Sequence, residues 1–256
     1  MMERKTLSGA ALKYIAFATM FIDHVGAGFV ARMGLPENLQ FIYIAMRFIG
    51  RIAFPIFIFL LVEGYTKTKS KVRYGARLLV FALISEIPFD LLFMLNDVQL
   101  ASGQFIEFYG QNVLFTLLLG IIAMAAMDYV DKMTEGLSDR PSFLLVRGGI
   151  NIFIVAVFYA IGEYVLRCDY GGWGVVAIAV MYYLRENRYL GVFIMCVTLF
   201  LPTRNIGEIP CLFSLLALVA YNGERGKQNK WVGYLFYPVH LLLIFAAAFF
   251  MGYIMI

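Results

Sequence analysis

The chain has 256 residues, 62% of them apolar and only 15% charged, with a mean hydropathy of +0.79. A soluble domain of this length cannot bury so much apolar surface, because its own outside must stay wet, so a water-soluble enzyme or carrier is excluded. The formal charge of +4 and the pI near 8.9 would suit a nucleic-acid binder, but the placement of the basic residues accounts for them better.

Along the chain, apolar runs alternate with short polar knots. The runs approach twenty residues, as a hydrocarbon core of roughly 30 Å demands of a helix rising about 1.5 Å per residue. They are too long for barrel strands and lack their alternation, so the expected fold is all-α, a polytopic membrane bundle forming one domain over 1–256. Helices are expected at about 10–31, 41–65, 77–95, 112–130, 147–166, 173–184, 189–201, 209–221 and 231–251, roughly nine with a range of 8–10. The sixth and seventh are short enough to be tilted, half-spanning or broken. Arg4, Lys5 and Lys13 ahead of the first run imitate a secretory leader, but Asp23-His24 interrupts the run and no small-x-small cleavage site follows. It reads as a retained first span.

The basic residues then set the orientation. With the N-terminus in the cytosol, the inner segments collect Arg4, Lys5 and Lys13; Lys67, Lys69, Lys71, Arg73 and Arg77; Lys132, Arg140 and Arg147; Arg185 and Arg188; and Arg225, Lys227 and Lys230. These are sixteen of the 21 basic residues. The outer segments hold Arg32, Arg167 and Arg204, while Arg47 and Arg51 lie inside span two. That is a positive-inside pattern, and it leaves no need for a nucleic-acid partner. The three cysteines, Cys168, Cys196 and Cys211, fit no metal-ligand spacing and read as packing residues, with no metal expected. The outer loop 96–111 reads first as a plain connector, with its aromatics around Glu107 leaving a cover over a cavity as the other option.

Ionisable groups inside spans are costly and are therefore functional candidates. Counting along the helices, His24 lies about 17 Å above Lys13, Arg47 and Arg51 roughly 9 and 15 Å below the outer end of span two, Glu86 and Asp90 about 13 and 20 Å above Arg77, and His240 about 14 Å above Trp231. Four spans thus place polar groups in the middle third of the bilayer. Arg47 and Arg51 share a helix face, as do Glu86 and Asp90, so spans two and three are expected to pair. Asp23 and His24 point about 100° apart, toward different neighbours. Pro55, Pro88 and Pro238 each free a carbonyl one turn earlier and are expected to bend their helices. Interhelical glue is the plainer reading for Arg47 and Glu86. His24 and His240, the only two histidines, carry a stronger case, since imidazole moves protons near neutral pH. Glu63 and Glu163, near span ends, read as snorkelling or capping groups.

Two segments are distinctive: LKYIAFATMFIDHVG (12–26) and RFIGRIAFPIFIFLLVEGYTKTKSKVRYGARLLVFALISEIPFDLLF (47–93). With NVLFTLLLG (112–120), DYGGWGV (169–175), LVAYNGERG (218–226) and FYPVHLLLI (236–244), the chain resembles the TraX family over nearly its whole length. The founding TraX activity is acetylation of the N-terminal amine of a conjugative pilin subunit, and the family is similar to a wider group of transmembrane acyltransferases. In that group a first span with a polar residue precedes a span of F-P-x-F-x-F type, here His24 and then Phe54 to Phe59. Nothing in the sequence ties this chain to conjugation, so the pilin substrate is not carried over.

The resemblance implies a transferase of the bacterial cytoplasmic membrane that takes acetyl-CoA from the cytosol and modifies an amine or hydroxyl acceptor at or across the bilayer. His24 is expected to act as general base, or to carry the acetyl group as nucleophile. Arg51 and the adjacent Asp23 are counted with it as catalytic. Arg47 would help Arg51 orient the thioester or acceptor, with Glu86 or Asp90 setting the charge balance. His240 and its neighbour Tyr237 would form a second site or line the donor's passage. Lys67 to Arg77 would attract CoA phosphates, unless positive-inside topology alone explains them, and Asn222 with Arg225 forms a second candidate for nucleotide contact. A transporter or flippase with a midplane polar site is the rival class, and a scaffold is weaker. Gly26-x-Gly28 serves packing within a chain or between copies, which leaves a homo-oligomer open.

Overall fold

Short polar side chains start the helices. Ser8 accepts the Ala11 N–H (3.3 Å), Ser70 that of Arg73 (3.3 Å), Asn112 that of Leu114 (3.0 Å) and Asn229 that of Trp231 (2.9 Å). Each satisfies one of the orphan donors of a helix N-terminus. The computed structural model describes residues 6–135, 141–203 and 206–255. Arg4, Lys5, Arg140 and Arg204, all used above to orient the chain, lie outside the described residues. Among those described, 79% are helical and no strand forms.

In chain order the elements are α1 (Gly9–Gly28), α2 (Gln40–Gly50), α3 (Ala53–Lys67), α4 (Lys71–Phe89), α5 (Asp97–Ala101), α6 (Val113–Met133), α7 (Pro141–Ala160), α8 (Gly171–Tyr183), α9 (Arg188–Thr203), α10 (Ser214–Val219) and α11 (Lys230–Phe250). α4 and α7 run on into π-helical turns, Asp90–Met94 and Ile161–Val165, and a 3₁₀ segment, Ile206–Phe213, leads into α10. Among the described residues, five segments are long and apolar enough to cross a membrane: Gly9–Met33, Glu37–Lys67, Val113–Met133, Ser142–Val165 and Trp231–Phe250. Roughly nine crossings were expected. The difference lies in α4, whose first turns carry Lys71, Arg73 and Arg77, and in three shorter apolar helices, Gly171–Tyr183, Arg188–Pro202 and Gly207–Val219.

The expected span two is two helices, interrupted at Arg51–Ile52. Pro55 sits in the first turn of α3 and has no N–H for the Arg51 carbonyl, so the ladder stops there. Pro88 precedes the π turn at Asp90, again where a ladder bond is missing. Pro238 lies inside α11, which continues as one helix past it.

Lipid tails are as apolar as leucine, so helix association depends on close packing rather than on apolar burial from water. Small residues supply the closeness. Gly120 of α6 lies under the Ile178 side chain of α8, and Gly28 of α1 lies under Leu92. Gly26 meets Met46, so the Gly26-x-Gly28 pair packs within the chain. By contrast, α7 turns Leu145, Ile152 and Phe153 outward, as a lipid-facing helix does.

The end of the bundle that holds the N-terminus is tied together by polar bonds. Leu7 N–H reaches the Ala220 carbonyl (2.9 Å), Gly9 that of Glu224 (2.8 Å) and Ala10 that of Arg225 (2.9 Å). Asp128 of α6 accepts from Tyr65 (2.8 Å) of α3, Tyr182 of α8 and Lys71 of α4. One carboxylate thus joins four helices. The opposite end, where α1 stops and α6 and α8 start, holds most of the remaining in-span charge.

Candidate active site: a histidine pair beside two arginines

The break at Arg51–Ile52 determines where the arginines point. Arg47, in the last turn of α2, donates to Asp23 of α1 at 2.7 Å. Asp23 fits there because position 50 is glycine: any Cβ at Gly50 would occupy the space of the Asp23 carboxyl group. The other Asp23 oxygen, Oδ1, is buried without a hydrogen-bond partner among the described residues. Arg51 Nε lies 3.2 Å from Glu208 of the 3₁₀ segment, and Tyr170 lines a cavity wall with both. The Tyr170 ring stacks on Phe54 at 3.5 Å.

One residue after Asp23, the chain offers its first histidine. His24 Nδ1 lies 2.7 Å from His240 Nε2, across from α1 to α11. The two rings are nearly parallel, 9° apart with centroids at 4.9 Å. His240 is 3% exposed, and its Nδ1 lies 2.6 Å from the Phe236 carbonyl one turn earlier. Phe236 stacks on His240 at 4.7 Å, Phe93 meets His24 edge-on at 5.3 Å, and Tyr237 stands 6.1 Å from His24. The two histidines, placed at one depth by the sequence, are in direct contact within an aromatic enclosure. Asp23 and His24 face different neighbours, as their 100° offset requires.

The expected pairing of spans two and three is corrected. α2 packs against α1 and the 3₁₀ segment, whereas α4 packs against α6 and α11. Glu86 accepts the Asn112 backbone N–H at 2.9 Å and the Asn112 side chain, which also donates to the Ala82 carbonyl at 2.9 Å. Asp90 accepts the Glu107 N–H at 2.9 Å. These carboxylates anchor the N-terminus of α6 and the loop before it, and they do not neutralise Arg47 or Arg51. The arginines instead find Asp23 and Glu208, which the periodicity of span two could not reveal. Asp90 keeps Oδ1 buried and unpartnered among the described residues.

The candidates for nucleotide contact sit at the other end. Lys67 bonds Glu63 (2.6 Å) and the Gly223 carbonyl (3.2 Å), so Glu63 is an ion-pair partner there. Arg77 and Arg225 are exposed, and Asn222 turns the chain by accepting the Glu224 N–H at 2.9 Å. Glu163 accepts the Gly172 N–H at 2.8 Å, bracing the start of α8.

A cavity of about 530 Å³ opens beside Arg51 at the end opposite the N-terminus, lined also by Tyr109, Glu163, Arg167, Asp169, Tyr170, Trp173 and Glu208. Tyr109 belongs to the loop 96–111 and lies under the Arg167 guanidinium at 4.2 Å, so that loop walls a cavity as well as connecting helices. A second cavity of about 520 Å³ is lined by Arg32, Asp97 and Phe93, and Phe93 is the same ring that touches His24. Sequence reasoning left Asp169, Tyr170, Trp173 and Glu208 unassigned. DYGGW was legible as a motif, but a loop residue carries no depth by which to place it.

Comparison with known proteins agrees with the family resemblance. The family model described as TraX protein matches residues 8–247. The chain is 27% identical over 261 residues to the probable fimbrial assembly protein FimC, serogroup H1, of Dichelobacter nodosus, covering 95% of this chain and 97% of that protein. No solved structure matches the chain.

Proposed function

The chain belongs to the TraX family of membrane proteins, and from that premise we propose that it is a membrane-embedded acetyltransferase. It moves an acetyl group from cytosolic acetyl-CoA to an amine or hydroxyl acceptor at or across the bacterial cytoplasmic membrane. One observation carries the reading: the chain's only two histidines, on α1 and α11, meet at 2.7 Å, and Asp23, the residue before His24, holds Arg47 at 2.7 Å. Interhelical glue would need only ion pairs, whereas a neutral imidazole pair among aromatic rings is suited to moving protons.

In this reading the acceptor's N–H or O–H gives its proton to His24 while its nitrogen or oxygen bonds the acetyl carbon. The C–S bond breaks, and CoA leaves as the thiol after taking up that proton. Arg51 stands at the wall of the far-end cavity, where a guanidinium can stabilise the developing oxyanion or orient the acceptor. The acceptor enters through that cavity. Acetyl-CoA enters at the N-terminal end, where the exposed Arg77 and Arg225, with Lys67 and Asn222 nearby, favour its phosphates. The N-terminus is then cytosolic, and the short helices α8 and α9 belong within the membrane. The matched relative is named for fimbrial assembly, which makes the amine of a fimbrial or pilin subunit the first acceptor to try.

Sealed vesicles of purified protein with radiolabelled acetyl-CoA outside and an amine, amino-sugar or pilin-type peptide acceptor inside test the proposal. Labelled acceptor and free CoA are expected from the wild type and not from H24A. If no acceptor is labelled and no CoA is released, the acetyltransferase reading fails. Acceptor crossing the membrane unmodified would favour a transporter, the class in which broken helices such as α2–α3 also occur.

A further inference from the structure

Building on the acetyltransferase reading, we infer that His240 is a positioning residue that fixes which nitrogen of His24 does the chemistry. It holds His24 with Nδ1 protonated and Nε2 bare.

The argument runs outward from a single carbonyl. The Phe236 oxygen can only accept, so its 2.6 Å contact requires the hydrogen on His240 Nδ1. A neutral His240 then carries its lone pair on Nε2. The 2.7 Å contact to His24 Nδ1 needs one hydrogen between the two nitrogens, and His24 must supply it. His24 Nε2 is left unprotonated, and among the described residues nothing is hydrogen-bonded to it. The reverse arrangement would place a charge on the pair at rest, in an enclosure formed by Phe93, Phe236 and Tyr237; burying that charge without a partner is costly. A backbone carbonyl thus sets the tautomer of a residue on another helix, through one intervening ring.

The pair also shares the charge of the reaction. When His24 Nε2 takes the acceptor's proton, the Nδ1 proton can move to His240 Nε2. The positive charge then rests on His240, whose Nδ1–H stays on the Phe236 carbonyl. Return of that proton through His24 to the departing CoA sulfur restores both tautomers. His240 touches no reactant in this sequence.

With only two histidines in the chain, selective ¹⁵N-histidine labelling gives four ring nitrogens, few enough to assign in a membrane protein. In the wild type both Nδ1 atoms are expected to be of the protonated type and both Nε2 atoms of the lone-pair type. H240A is expected to shift His24 toward the Nε2–H form and to lower kcat on the order of 10²–10⁴-fold, with KM for acetyl-CoA within about twofold. In H240Q the glutamine oxygen can accept the His24 Nδ1 hydrogen but cannot take up a proton, so the tautomer should persist and part of the rate return. A wild-type His24 carrying its hydrogen on Nε2 would overturn the inference, as would a fully active H240A. A wild type with the expected tautomers but no acetyl transfer overturns the acetyltransferase reading alone.

Discussion

Two polar knots divide this molecule, and they differ in how completely they are satisfied. At the N-terminal end, Asp128 takes donors from Tyr65, Lys71 and Tyr182, binding α3, α4, α6 and α8 around one carboxylate. At the opposite end, among the described residues, Asp23 has an oxygen without a partner, His24 has a ring nitrogen with no hydrogen bond, and Arg51 borders a cavity. A saturated buried network rigidifies a fold, and spare hydrogen-bonding capacity in an enclosed site is what a reacting group needs. On the proposed reading the first knot is structural and the second chemical, although both consist of charges within helices.

The largest effect expected from this contrast is on rate. H24A should cost on the order of 10²–10⁴ in acetyl transfer while leaving circular dichroism and resistance to detergent unfolding near wild type. A melted H24A protein would place His24 with the structural knot. D128A should behave in the opposite way. It leaves two tyrosine hydroxyls and a lysine without their shared acceptor and should cost about 2–4 kcal/mol in detergent-titration unfolding. The rate per folded molecule should be nearly unchanged, and a rate loss comparable to that of H24A would erase the distinction.

Finer variants sharpen it. G50A pushes a methyl group into the Asp23 carboxyl and should misplace the Asp23–Arg47 pair, lowering the rate by roughly tenfold or more for a shift of about an ångström. Asp23→Asn in the same background, by relieving the charge but not the clash, should not restore the rate. The smallest effect belongs to Y65F, which removes one of three donors to Asp128 and should cost about 1 kcal/mol in the same unfolding measurement. Activity equal to wild type is expected there.

Much of this is legible in the amino-acid sequence. The apolar runs give a helical membrane protein because an unpaired backbone is intolerable in hydrocarbon. A rise of about 1.5 Å per residue gives the depth of each polar group, so His24 and His240 could be placed at one level from sequence. Pro55 marked the break that exposes Arg51. Depth, however, is one coordinate of three. It could not say that α1 rather than α4 lies against α2, so the expected Arg47 and Arg51 pairing with Glu86 and Asp90 gave way to Asp23 and Glu208. Nor could it see Gly50 as the seat of Asp23, or Asp169 and Tyr170 at a cavity wall, since those depend on how helices lie beside one another and where loops return. The sequence by itself determined that the chain is helical and which charges fall within its apolar runs. Only the tertiary structure decided which of them meet, because helix rotation and neighbour choice are settled by side-chain packing across the whole bundle.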